Sequence, residues 1–530
     1  MLGAIRRQIA GDRLVAHESF LMSTSTHLLV WLVFWPLVAG LLIFALNGQR
    51  ARQWALVASL AELALAVVMV LDFQPTPEWQ FEERLNWLIP IGSSLHFAVD
   101  GLSVFLVLGV AVLGPLAILS AYGKDFGKAF FYWLLAFEGG MIGALVSLDM
   151  LVFYVFWELM LLPAFFLTGI WGGRQRIRAT VRFAVMTLVG SLTMLLAILY
   201  LGVRIHDETG QWSFALSQAL QLRFGNEEEI LLFWAFIAAF AVKIPLFPLH
   251  VWLPGAYTEA PTAAVLLMSG MMAKLGAYGL IRFAFPLFPH AGVGLAEFFA
   301  ALAVISIVYG AVLALGQGDA KRLIAYSSFS HLGWITLGLL SFDIVGVTGS
   351  IYHMLAHAVG TGALFLLVGM LWDRVGSTAI SRFGGLASVT PYMAVAFIIV
   401  ALGSIGLPGL AGFAGEFMIL LGVWGAWPWP AIAGGTGVVL GAAYTLYLVQ
   451  RVFFGPQKGL AITDLTWREA ATVMPLVAMT IVMGIWPAPI LDRIAPSARN
   501  YIVLVQARRD PATGALPAGM GISRPVRITK

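Results

Sequence analysis

The chain has 530 residues, 60% of them apolar and only 11% charged, and its mean hydropathy of +0.89 excludes a water-soluble globular domain, whose surface needs far more charge. It contains no cysteine, which excludes thiolate-held iron–sulfur clusters, thiolate zinc sites and disulfides. The net charge of +4 does not point to nucleic acid, because the basic residues are scattered among short loops with no aromatic surface between them.

In chain order, residues 1–26 form an N-terminal extension. Its Asp12, Arg13, His17 and Glu18 stand where a signal peptide would have its apolar core, and Met22, just before the first apolar stretch, is an alternative start. Apolar stretches of about 20 residues, each enough to cross a hydrocarbon core as a helix, then recur near 27–46, 53–71, 98–118, 129–147, 149–170, 180–200, 229–254, 261–284, 296–315, 322–341, 345–371, 391–426, 429–453 and 468–487. The short alternating strands of a membrane β-barrel are not evident, so the expected fold is an all-α polytopic membrane protein of about fourteen helices. Residues 203–228 are polar, with an amphipathic piece from Trp212 to Leu222 expected at the membrane interface. Residues 488–530, with Arg, Pro and Gly in the tail, are expected to be a flexible end.

Two spans break in mid-course. Span seven meets Pro245 and Pro248, and span twelve meets Gly406, Pro408, Gly409 and Gly412. Proline removes a backbone donor and clashes with the preceding turn, and glycine loosens what remains. Such breaks are tolerated in lipid only where protein or water satisfies the freed backbone, and paired breaks point to a transport site. They lie five spans apart. This predicts two five-helix repeats, spans four to eight (129–284) and nine to thirteen (296–453), inverted relative to each other, with spans one to three (27–118) peripheral and span fourteen (468–487) outside both.

Charges within spans are few and share a depth. Glu138, Glu158 and Lys274 lie midway along spans four, five and eight; His331 is central in span ten, and His353 and His357 are central in span eleven. Lys243 and Glu416 adjoin the two breaks. A charge at the bilayer centre costs ~3 kcal/mol even on the lenient scale, so these residues need partners or water. Buried lysines, carboxylates and histidines titrate within reach of neutral pH and can hand protons along. Lys243 with Glu158 is a natural ion pair, which either gates a proton path or simply holds spans five and seven together. His331 is either a relay or a packing residue. His353 is less suited to a relay than His357, and Glu138 is functional or structural with equal weight. Glu62, in span two, has no evident partner. Metal binding by His353 and His357 lacks a third ligand, and no nucleotide-binding loop is present in a convincing context, so neither metal nor cofactor is expected on this chain.

Loops after odd-numbered spans carry fifteen Lys and Arg, from Arg50 to Arg468, against four after even-numbered spans: Arg84, Arg204, Arg223 and Arg282. The positive-inside rule therefore places the odd loops in the cytoplasm and both termini on the opposite side.

Several long runs resemble the antiporter-like membrane subunits of respiratory complex I, and among them the chain M type, subunit 4 in mitochondria. They are Phe156 to Pro163, Lys243 to Pro245 continuing through His250 to Pro254 and Glu259 to Thr262, Ala273 to Gly279, Asp319 to Ser328, Ser330 to Gly333, Gly412 to Phe417, Gln450 to Pro456 and Trp467 to Glu469. The resemblance implies a proton-translocating subunit in a bacterial inner membrane. Glu158 and Lys243 would gate the intake, Lys274 would be the central relay, His331 and His357 bridging imidazoles, and Glu416 the exit group; Glu138 and His353 are further candidates. It also implies L and N type chains as neighbours, with NADH, FMN, iron–sulfur clusters and quinone held by other subunits. Glu416 separates the chain from L and N chains and cation/proton antiporters, which generally have lysine there. A related antiporter or membrane-bound hydrogenase subunit, or a non-conducting assembly scaffold, are the alternatives. Arg182 departs from the lysine frequent in chain M, and stands outside the expected relay because arginine does not readily release a proton.

Overall fold

The computed structural model describes residues 27–510; the N-terminal extension, with Met22, and the end of the tail lie outside the described residues. Within them, twelve helices are long and apolar enough to cross a membrane. Two interrupted segments, Asn226–Lys243 with Leu253–Glu259 and Pro391–Ser404 with Ala411–Ala426, complete fourteen crossings. The fold is the expected all-α membrane architecture, with the breaks in spans seven and twelve.

Burial sorts the spans. Thr262–Leu287 (span eight) and Ile344–Val375 (span eleven) are enclosed along their whole apolar windows, and Ala320–Leu340 (span ten) almost so, whereas Gly48–Asp72 (span two) and Arg176–Thr209 (span six) present Leu71, Val189 and Leu196 outward. The inner helices are the ones that carry Lys274, His331, His353 and His357. Arg182, on span six, is exposed, consistent with its exclusion from the buried row.

Three features depart from expectation. First, residues ahead of span three form a hairpin, β1 (Gln80–Leu88) and β2 (Ser93–Val99), antiparallel with Glu83 opposite Phe97 and Leu85 opposite Leu95. Its turn needs Gly92 at φ +70°, a conformation glycine adopts without strain. Span three therefore starts at Val104, later than 98. The hairpin is anchored through Asp149, which accepts from Ser94 N and Ser93 Oγ while capping span five through Leu151 N and Val152 N.

Second, residues 488–509 are not a flexible end. They form the helix Ala488–Arg509, whose Ile494, Ala498, Tyr501 and Val505 recur at helical spacing and are buried. Gly101 N donates to Ser497 Oγ at 2.8 Å, and Arg508 Nη2 donates to Leu222 O and Leu287 O at 3.2 and 3.3 Å. Third, the piece from Trp212 to Leu222 shrinks to a single turn, Leu216–Ala219, with Phe214, Leu216, Ala219 and Leu222 buried against the chain.

Ion pairs tie the ends of the spans. Arg374 makes a bidentate contact with Glu469 at 2.6 and 2.7 Å, joining spans eleven and fourteen. At the opposite end Arg282 Nη2 donates to Asp100 at 2.6 Å, its guanidinium stacked 4.4 Å from the Trp79 ring centroid, and both partners are buried. Removing one member of such a pair strands the other charge. Asp100→Ala should cost about 3–5 kcal/mol and lower the thermal midpoint of the detergent-solubilised protein, whereas Asp100→Leu combined with Arg282→Met should recover most of that loss.

Candidate functional site

The two helix breaks set up the site. At the first, Lys243 is the last residue of the helix, and the freed backbone beyond it is satisfied by protein. Leu246 N donates to Ala241 O at 2.8 Å, Phe247 N to Ser306 Oγ at 3.0 Å, and Trp252 Nε1 to Val242 O at 2.8 Å. Lys243 is buried, with its ammonium 4.7 Å from the Trp157 ring centroid. The expected ion pair is not closed: no salt bridge or hydrogen bond joins Lys243 to Glu158, although the partly exposed carboxylate is near enough to act on Lys243 through space.

At the second break, Gly406 (φ +72°) and Gly409 (φ +88°) turn the chain. A Cβ on Gly406 would stand 2.7 Å from Glu416 Oε2, and one on Gly415 would stand 2.7 Å from His353 Cβ. Small residues thus let span eleven and the second half of span twelve approach closely, which delivers His353 to Glu416.

Glu416 sits among imidazoles. His331 Nδ1 lies 3.1 Å and His353 Nε2 3.8 Å from Glu416 Oε1. The rings are 5.5 Å apart for His331 and His353, 5.3 Å for His331 and His357, and 6.3 Å for His353 and His357. All are buried, and among the described residues none of the three rings finds a hydrogen-bond partner at either nitrogen, His331 meeting Glu416 at ion-pair distance without hydrogen-bond alignment. A polar cluster left this unsatisfied among apolar walls calls for water, protons or an ion.

Lys274 joins this group. A π-helical turn at Met268–Met272 immediately precedes it, and its ammonium donates to the carbonyl of Ser269. Wide turns of this kind free a carbonyl that an ordinary helix would consume, and they recur at functional sites. The lysine is fully buried, near enough to His353 and His357 to interact with both electrostatically when protonated. The structure therefore places the predicted residues in two groups, Glu158 with Lys243 and Lys274 with His331, His353, His357 and Glu416. No hydrogen bond or ion pair links Lys243 to Lys274, though spans seven and eight pack against each other, with Gly276 making room for Ile244.

Glu138 goes elsewhere. It accepts from Ser59 Oγ at 2.9 Å and faces the carboxylate of Glu62 on span two, in space left by Gly114 on span three. Glu62, without evident partner in the sequence, is thus half of a buried carboxylate pair. His353, set below His357 on sequence grounds, is the nearer of the two to Glu416. Sequence reasoning also missed Tyr444, whose hydroxyl is 2.8 Å from Ser327 Oγ; an aromatic residue in an apolar span carries no signal of a buried polar pair. Lys321, at the start of span ten, is buried and donates to Thr258 O and Ala260 O at 3.2 and 2.7 Å. It lines a cavity of about 590 Å³ with Lys124, Glu259, Asp373, Arg468 and Glu469, on the face that carries the basic loops.

Residues 147–441 match the family described as NADH:quinone oxidoreductase/Mrp antiporter, TM. The chain is 37% identical over 495 residues to NADH-quinone oxidoreductase subunit M of Rhodobacter capsulatus, covering 90% of this chain and 96% of that protein. It is also 37% identical to NADH-ubiquinone oxidoreductase chain 4 of Marchantia polymorpha, covering 89% and 96%. A chain of the respiratory complex I from Thermus thermophilus superposes with a TM-score of 0.84 at 34% identity, covering 90% of this chain and 99% of that one.

The second break yields a paired test. Gly406→Ala and Gly409→Ala each force a left-handed residue at a cost of about 1–2 kcal/mol, but only the first adds a methyl against Glu416. Gly406→Ala should therefore lower the thermal midpoint further than Gly409→Ala, whose added methyl meets open space.

Proposed function

Because the chain belongs to the NADH:quinone oxidoreductase/Mrp antiporter membrane family, in its subunit M type, we propose that its buried Glu/Lys/His row is the path along which it moves protons, with no redox step on this chain. It is a multi-pass, proton-translocating membrane subunit of respiratory complex I. The antiporter reading is not favoured by a match that covers nearly the whole length of M-type relatives.

The observation that carries the relay is the group of Lys274, His331, His353, His357 and Glu416, buried together beside a broken helix. A proton taken up from the cytoplasmic face reaches Lys243. Approach of the Glu158 carboxylate favours the ammonium form of Lys243, and withdrawal favours release toward Lys274. From Lys274 the proton passes to the imidazoles, whose two ring nitrogens can accept on one side and donate on the other. Glu416 receives it and delivers it across the break in span twelve. Glu138 stands apart with Glu62, outside this path. Both termini face the non-cytoplasmic side of a bacterial inner membrane, and L and N type chains flank the subunit. NADH, FMN, iron–sulfur clusters and quinone serve the parent complex in other subunits.

Lys243→Ala or Glu416→Ala should cut the number of protons pumped per electron in reconstituted complex while the complex still assembles. A scaffold would respond in the opposite way, with less complex in the membrane and an unchanged proton-to-electron ratio in what remains.

A further inference from the structure

The exit end of the row has the makings of a metal site. One ligand atom each from His331, His353 and Glu416 lies within 4.8 Å of the others, and two of these approaches, His331 Nδ1 and His353 Nε2 to Glu416 Oε1, are 3.1 and 3.8 Å. Tetrahedral zinc with bonds of about 2.0–2.1 Å places its ligand atoms about 3.3 Å apart, so small side-chain rotations suffice. Among the described residues the ring nitrogens of all three histidines have no hydrogen-bond partner, and each residue is more than nine-tenths buried. His353 and His357 alone lacked a third ligand in the sequence; the structure sets Glu416 and His331 beside His353, while His357 stays outside the group with its ring 5.3 Å from that of His331.

We infer that His331, His353 and Glu416 bind a borderline divalent transition ion, of which Zn²⁺ is the best match, and that the bound ion stops proton movement by occupying the groups protons need. Imidazole with carboxylate suits Zn²⁺, whereas Ca²⁺ and Mg²⁺ prefer all-oxygen shells and Cu⁺ prefers thiolates or thioethers. One carboxylate leaves the bound ion with net positive charge, in the electrostatic neighbourhood of Lys274. Occupancy thus blocks the row at its end and opposes a charge at its centre. The second break adjoins the site, with Gly406 bordering Glu416. Binding rests on this geometry, and only its effect on pumping rests on the proposed relay.

The test uses the parent complex, stripped of zinc, in proteoliposomes titrated with buffered Zn²⁺. Two quantities are read: zinc retained per complex, and protons pumped per electron. His331→Gln and His353→Gln should each retain one zinc fewer than the unaltered complex and need at least about tenfold more Zn²⁺ for half-inhibition of pumping, the scale set by loss of even an outer-shell partner. Equal zinc counts in all three overturn the site, and the count decides even where a variant no longer pumps. A count lower by one, with pumping by the zinc-loaded unaltered complex intact, overturns the blocking role. Zinc-free pumping of Glu416→Ala judges the relay separately.

Discussion

Charge withdrawn from water into a hydrocarbon layer must be met by a partner, and the contact of Glu416 with His331 and His353 is where this requirement shapes the chain most. A carboxylate alone at that depth would cost several kcal/mol. Imidazoles can answer it by accepting protons, yet they leave nitrogens free for water or for the next proton. That incomplete satisfaction distinguishes the cluster from the Arg374–Glu469 and Arg282–Asp100 pairs, whose charges are held by short, aligned contacts. Those pairs lock spans at their ends, while the cluster keeps ring nitrogens without aligned partners.

The surrounding helices follow from this need. Glycine lets span eleven reach the broken span twelve, a π-turn gives the Lys274 ammonium a carbonyl to bind, and the gap in span seven leaves Lys243 against an aromatic face without direct contact to a carboxylate. Each feature interrupts regular helix. Outside the row the chain returns to ordinary rules: apolar residues face outward, Asp149, Asp319 and Asp343 cap helices, and Thr466 with Glu469 forms a capping box.

Much of this was legible in the sequence. Long apolar stretches gave the crossings because a helix in lipid has a fixed minimum length, and Pro245 and Gly406 revealed the breaks because both residue types disrupt helices in known ways. The rarity of intramembrane charge singled out Lys243, Lys274 and Glu416. What escaped depended on three-dimensional proximity or on weaker patterns. Glu62 and Glu138 are 76 residues apart in the numbering, and nothing local pairs them. That His353 lies nearer to Glu416 than His357 was hidden too, because which face of span eleven meets Glu416 depends on Gly415 on another helix. The helix Ala488–Arg509 was missed for a different reason. Its buried stripe of Ile494, Ala498, Tyr501 and Val505 is visible, but its low hydropathy sets it apart from the membrane crossings. The hairpin ahead of span three was hidden because two short strands leave little mark in so apolar a chain.

The central claim is that these groups form one working path, and Lys274 is its middle. Replacement by methionine keeps the length and apolar volume of the side chain while removing the charge. Measured in proteoliposomes, Lys274→Met should leave quinone-linked electron transfer able to run in assembled complex yet lower the protons moved per electron. An unchanged ratio at normal assembly would contradict the account.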